Sequence, residues 1–190
     1  MKSYFYSLLL MLLMPLSVLS EEYEIDTEGM HAFIDFRIQH LGFSWMSGRF
    51  NTFSGVFSYD ENKPEDSSVS VMIKTASIDT NHAERDKHLR DVAYLDVKQF
   101  PEAHFVSTSF EQSADGSAVL WGDFTFRGIT KPLKIDVRPV GHGADPWFGY
   151  RRGFVGETHF KLTDYGISIK MLGEQSNVIY LTLSVEGIRR

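Results

Sequence analysis

The sequence predicts an all-β fold: an eight-stranded antiparallel up-and-down β-barrel with one short crossing helix around residues 81–95. Three observations carry this. About eight stretches alternate apolar and polar residues with a period of two, the pattern of strands with one buried face. Most are joined by short turns, which makes neighbours in sequence antiparallel. One segment, residues 80–101, breaks the alternation and reads as helix. Closing the strands into a ring removes exposed edges; a two-sheet sandwich is the alternative for the same strands.

Residues 1–20 come first. Lys2 precedes an apolar run from Leu8 to Leu13, then Pro15, Ser17 and Ser20 lead into Glu21 and Glu22. The run falls short of the roughly 20 residues a spanning helix needs, so these residues are expected to be a cleaved signal peptide and 21–190 a single exported barrel domain. A short edge-like segment follows at 23–26. In residues 31–40, Ala32, Ile34, Phe36 and Ile38 oppose His31, Asp35 and Arg37. Residues 41–48 are expected to turn the chain into a strand at 49–59. Its parity is mixed, Phe50 and Val56 against Phe53 and Phe57, which a β-bulge near Thr52 would reconcile. A loop with Pro64 precedes the alternating Val69, Val71 and Ile73.

The helical segment, TNHAERDKHLRDVAYLDVKQFP, opens with Asn81 and Glu84 as a capping pair. It turns Leu89, Val92 and Leu95 towards the barrel. Strands resume at 104–110; Asp115-Gly116 marks a hairpin. Leu120, Gly122, Phe124 and Phe126 share a face, and a turn at Arg127-Gly128 leads to Leu133, Ile135 and Val137. A Gly-rich loop is expected over 141–153, followed by inward Phe154, Gly156, Thr158 and Phe160. The last strand places Ile179, Leu181, Leu183 and Val185 inward.

Composition narrows the chemistry. The formal net charge is −6, which favours neither nucleic acid nor an anionic membrane surface. No cysteine is present, so disulfides, thiolate metal sites and cysteine nucleophiles are absent. His82 and His88 are six apart, not the four of a zinc-binding helix. Glu84 with His88 and Asp86 with Arg90 stand at i, i+4, the spacing of ion pairs along a helix face, and a buried Arg85–Asp86 anchor is the alternative. There is no nucleophile elbow, phosphate loop or indicated carboxylate pair, since Asp35, Asp123 and Asp136 fall on outer faces. No catalytic residue, metal site or cofactor is predicted.

Function then turns on whether the barrel is solid or hollow, and parity leaves both open. The inward residues Ile34, Phe36, Ile38, Val71, Ile73, Phe124, Phe126, Ile135, Phe160, Leu181 and Leu183 are the candidate lining. Such a lining suits a long apolar guest and not a sugar or nucleotide. His40, Trp45, Arg85 and Trp147, with Phe148, are candidates for a rim or for contact with a polar head group; for the aromatic residues, plugging the barrel ends is the alternative.

Several segments carry a family resemblance: HAFIDFRIQHLGFSW (31–45), GRFNTFSGVFSYD (48–60), DTNHAERDKHLRDVAYLD (79–96), FPEAHFVSTS (100–109), GDFTFRGITKPL (122–133) and DPWFG (145–149). They run in order through nearly the whole of 21–190 and resemble the YceI family of exported proteins. The resemblance implies a lipocalin-like, polyisoprenoid-binding barrel in the periplasm. It further implies a carrier or storage protein, not an enzyme, that encloses an isoprenoid or quinone-like chain. Two alternatives remain at this point: a lipid-modifying enzyme centred on His82, Arg85, Asp86 and His88, or a solid barrel that partners an inner-membrane redox protein.

Overall fold

A computed structural model describes residues 20–190. The expected signal peptide, Ser20 apart, lies outside the described residues. The strands are β1 (Glu21–Ile25), β2 (Phe33–His40), β3 (Ser44–Phe50), β4 (Phe53–Tyr59), β5 (Ser68–Lys74) and β6 (Ile78–Asp79). After α1 (Ala83–Arg90) come β7 (Glu102–Gln112), β8 (Ala118–Phe126), β9 (Ile129–Ala144), β10 (Tyr150–Lys161) and β11 (Val178–Arg189).

These eleven segments form eight long strands, because β1–β2, β3–β4 and β5–β6 are each one strand interrupted by a few residues. All pairings are antiparallel, and each long strand pairs with its neighbours in sequence. β11 closes the ring: Gly187–Arg189 pair with β1 and Ile179–Ser184 with β2. The fold is thus a closed eight-stranded antiparallel barrel with one helix, as the alternation predicts. The segment expected as an edge, 23–26, is no edge. β1 hydrogen-bonds on both sides, to β4 and β11, and seals the barrel.

The interruptions explain where the sequence reading went wrong. The expected turn over 41–48 is confined to 41–43, where Leu41 and Gly42 take positive φ; Trp45–Gly48 already belong to β3. The mixed parity around Thr52 comes from a break between two strands. At Asn51 and Thr52 the chain leaves the β2–β3–β6 side and continues as β4 between β1 and β5. The break lets both Phe50 and Phe53 point inward. A bulge does occur, in β7 at Thr108, and it keeps Phe105 and Phe110 on the same face despite their odd spacing. The expected Gly-rich loop shrinks to 145–149, because Gly141, Gly143 and Gly153 lie within paired strands.

The helix is shorter than 81–95. It begins at Ala83 with His82 as its N-cap, whose Nδ1 accepts from the Arg85 amide at 3.2 Å. Asn81 instead sits at φ +59. The helix ends at Arg90, so Val92 loses the expected phase and is exposed, while Leu89 and Leu95 pack inward. The i, i+4 charges do not pair with one another. Arg90 donates to the carbonyls of Ala76 and Ile78, and Asp86 is buried against Thr80.

Two ends result. The helix end carries the 41–43 turn, α1, the Arg127-Gly128 turn and the segment 162–177. The terminal end carries both chain ends of the barrel, the loop 60–67 and the hairpins at 113–117 and 145–149. Between them the inward faces form one apolar core, from Tyr23 and Phe57 to the packed rings of Phe124, Phe126, Phe160 and Tyr165.

Candidate functional site

The barrel is hollow. Its interior holds two cavities, of about 140 Å³ towards the terminal end and about 130 Å³ towards the helix end. Four residues line both: Ile34, Ile73, Phe124 and Leu181. They stand on β2, β5, β8 and β11 and form a waist between two lobes of one axial space.

The terminal lobe is further lined by Val71, Ile135 and Leu183, and the helix-end lobe by Phe36, Ile38, Phe126 and Phe160. All eleven residues expected as lining therefore border the space. Leu120, Phe154, Leu89 and Leu95, read as inward but not as lining, also border it, and sequence reasoning missed Phe53, Phe57, Phe105 and Phe110 in the terminal lobe and Met46, Phe50, Tyr94 and Leu172 in the helix-end lobe. The bulge at Thr108 and the break at Asn51-Thr52 hid some of these, since each resets the parity. The small inward residues do not all make room. At Gly122 the Phe105 ring already lies where a Cβ would stand, 2.4 Å from that position, so ring and glycine pack as a unit.

The two ends differ in chemistry. At the terminal end, Arg152 points inward from β10 and is buried, its guanidinium 4.5 Å from the centre of the Tyr59 ring. It donates to Glu61 Oε1 at 2.6 Å and to the Tyr23 hydroxyl at 3.3 Å. Burial opposes the charge of Arg152, but the hydrogen bonds to Glu61 and Tyr23 outweigh it and raise its pKa. Arg152 borders neither lobe, and its charge is paired with Glu61. At the helix end, Arg85 is the sole charged side chain in either lining. Its Nε donates to Thr80 Oγ1 and its Nη2 to Thr80 O, both at 2.8 Å, while Nη1 meets the Met46 sulfur at 3.4 Å. Thr80 in turn donates its amide to Asp86 Oδ1 at 2.9 Å, and its hydroxyl to the same oxygen. Thr80 thereby fixes the guanidinium and occupies the nearest carboxylate.

The other expected rim residues lie elsewhere. His40 is exposed at the end of β2 and lines neither lobe. Trp45 lies in a strand, not a loop, and on the outer wall. It packs edge-on against Tyr180 with Arg37 4.9 Å above its ring, because outward residues of β2, β3 and β11 stand side by side. Trp147 and Phe148 project outward from the 145–149 turn. Asp145 accepts from the Trp147 and Gly149 amides and so shapes that turn. Nor do His82, Arg85, Asp86 and His88 converge: His82 caps the helix, Asp86 is buried on Thr80, His88 is exposed, and Arg85 alone reaches the cavity.

A model of the YceI-like domain matches residues 23–187. A UPF0312 protein of Shewanella sp. (strain MR-4) is 50% identical over 179 residues, 94% of this chain and 93% of its own. Among solved structures, BcnA of Burkholderia cenocepacia superposes with a TM-score of 0.75 at 18% identity, covering 85% of this chain and 98% of that one. A polyisoprenoid binding domain from Saccharophagus degradans, implicated in plant cell wall breakdown, gives 0.64 at 12% identity, covering 88% and 98%. These two share the barrel.

Proposed function

The chain belongs to the YceI-like family, and from that premise we propose that it is a lipid-binding carrier or storage protein whose barrel encloses an isoprenoid chain. The observation that carries the reading is the axial hollow itself: two lobes walled by hydrocarbon and aromatic rings, joined at a waist. Such a wall offers a chain no directional bonds and removes it from water, worth roughly 0.8 kcal/mol for each buried CH₂. A sugar or nucleotide would lose its hydrogen bonds to water there and gain none. The fold shared with a polyisoprenoid binding domain supports the isoprenoid over other apolar chains.

Size bounds what fits without rearrangement. A cavity of about 150 Å³ holds one benzene-sized guest, so each lobe as it stands takes a short branched fragment. A longer chain must part the waist side chains or emerge at an end. Binding, not turnover, is the proposed activity; the dispersal of the four polar helix residues supports that choice. The reading includes export to the periplasm, supported by the composition of residues 1–20, and admits a quinone-like head on the chain.

The test is to express the full chain with its own leader in a Gram-negative host, purify it from the osmotic-shock fraction and analyse an organic extract by mass spectrometry. The expected result is a prenyl lipid near one equivalent. A fatty acyl lipid in its place, or no lipid together with no uptake of added prenyl lipid, would overturn the reading.

A further inference from the structure

We infer that Arg85 receives the polar head of the bound chain, so that the ligand lies with an oxygen-bearing head at the helix end and its tail across the waist towards Arg152. This rests on the carrier reading above and adds to it a direction and a head-group chemistry.

The contrast between the two arginines carries the inference. Arg152 borders neither lobe and has a carboxylate partner: Glu61 takes one nitrogen, Tyr23 another, and the Tyr59 ring covers its face. Its charge is therefore already answered by a carboxylate, outside the lining of the hollow. Arg85 has no carboxylate partner within 4 Å among the described residues, because Asp86 is spent on Thr80. Two of its nitrogens are held by Thr80 and the third, Nη1, has only the Met46 thioether. A thioether is a weak acceptor. A cationic N–H facing an apolar lobe with so poor a partner is costly, and an oxygen acceptor there would relieve the cost.

The rival position is Ser67, which lines the terminal lobe and whose buried Oγ has no partner. It is a neutral hydroxyl. Hydrogen bonds to an ionised donor are about twice as strong, which favours the helix end. The head chemistry implied is an oxygen acceptor, supplied by a phosphate or by the carbonyl of a quinone.

The experiment uses three farnesyl probes: the diphosphate, a farnesyl-substituted benzoquinone, and the hydrocarbon farnesene. Each is titrated against delipidated full chain and its Arg85→Met variant. In the wild type at least one oxygen-bearing probe binds more tightly than farnesene, and the preferred one identifies the source. In Arg85→Met that preference falls by about 10- to 100-fold. An undiminished preference overturns the inference while leaving the carrier reading intact. Failure of all three probes on the wild type overturns both. A second measurement does not depend on the variant folding. With a nitroxide on the head, methyl resonances of Met46 and Leu172 should broaden in the wild type while those of Val137 and Val185 stay sharp; the reverse pattern overturns the inference.

Discussion

Asp26, in the break between β1 and β2, shows how single residues hold this barrel shut. Its side chain is 5% exposed, and its carboxylate meets the His31 ring at 2.9 Å, the Gly29 amide at 2.8 Å and Arg151 Nη1 at 2.6 Å. Arg151 reaches onward to Glu186 and Asp145, so one guanidinium ties β1, β10, β11 and the 145–149 turn together. Burial would raise the Asp26 carboxyl, but the bonds from His31, Arg151 and Gly29 outweigh it and hold its pKa at about 2, below the ordinary 3.8. A depressed folded-state pKa stabilises above pH 3.8 and loses its effect as pH falls through 2. The contribution is about 2 kcal/mol. Urea unfolding of Asp26→Asn should show that loss at neutral pH and a flatter profile than wild type between pH 4 and 2. A variant that tracks the wild-type profile across that window would remove Asp26 from the account. None of this was legible in sequence, since Asp26, Arg151 and Glu186 are far apart along the chain.

At the scale of elements, alternation gave the strand directions, and all eleven residues it named as lining border the hollow. It failed where a strand breaks or bulges. Phe50 and Phe53 are both inward across the Asn51-Thr52 break, a pattern that reads as a bulge when only one strand is assumed. Arg152 was hidden for a different reason: the glycines at 141, 143 and 153 made its surroundings look like loop. Once β10 is seen to begin at Tyr150, Arg152 shares the parity of Phe154, Gly156 and Thr158, and its inward position follows. That position has a consequence for ligand length. Truncation in Arg152→Ala should open the terminal end and let the barrel take prenyl chains at least one unit longer than wild type. The measurement is the chain length at which affinity stops rising. An unchanged limit would mean that Arg152 does not close the lobe.

At the scale of the whole molecule, eight amphipathic strands with short turns determine a closed barrel, but not what fills it. Parity tells which side chains face the axis. Whether their rings meet across it depends on rotamers and on packing such as Phe105 over Gly122, which no periodicity encodes. The helix illustrates the same limit. Its charges are the densest in the chain and suggested a polar centre, yet Asp86 and Arg90 are spent on the 76–80 segment, Glu84, Lys87 and His88 are exposed, and only Arg85 faces the lobe. The central claim is that the two lobes together hold one prenyl chain. It is tested most directly by the affinity of delipidated full chain for a series of one to six isoprene units bearing the same head. The account predicts that Kd falls at least about tenfold per added unit until the lobes are full, then levels. A Kd that does not change with chain length would contradict it.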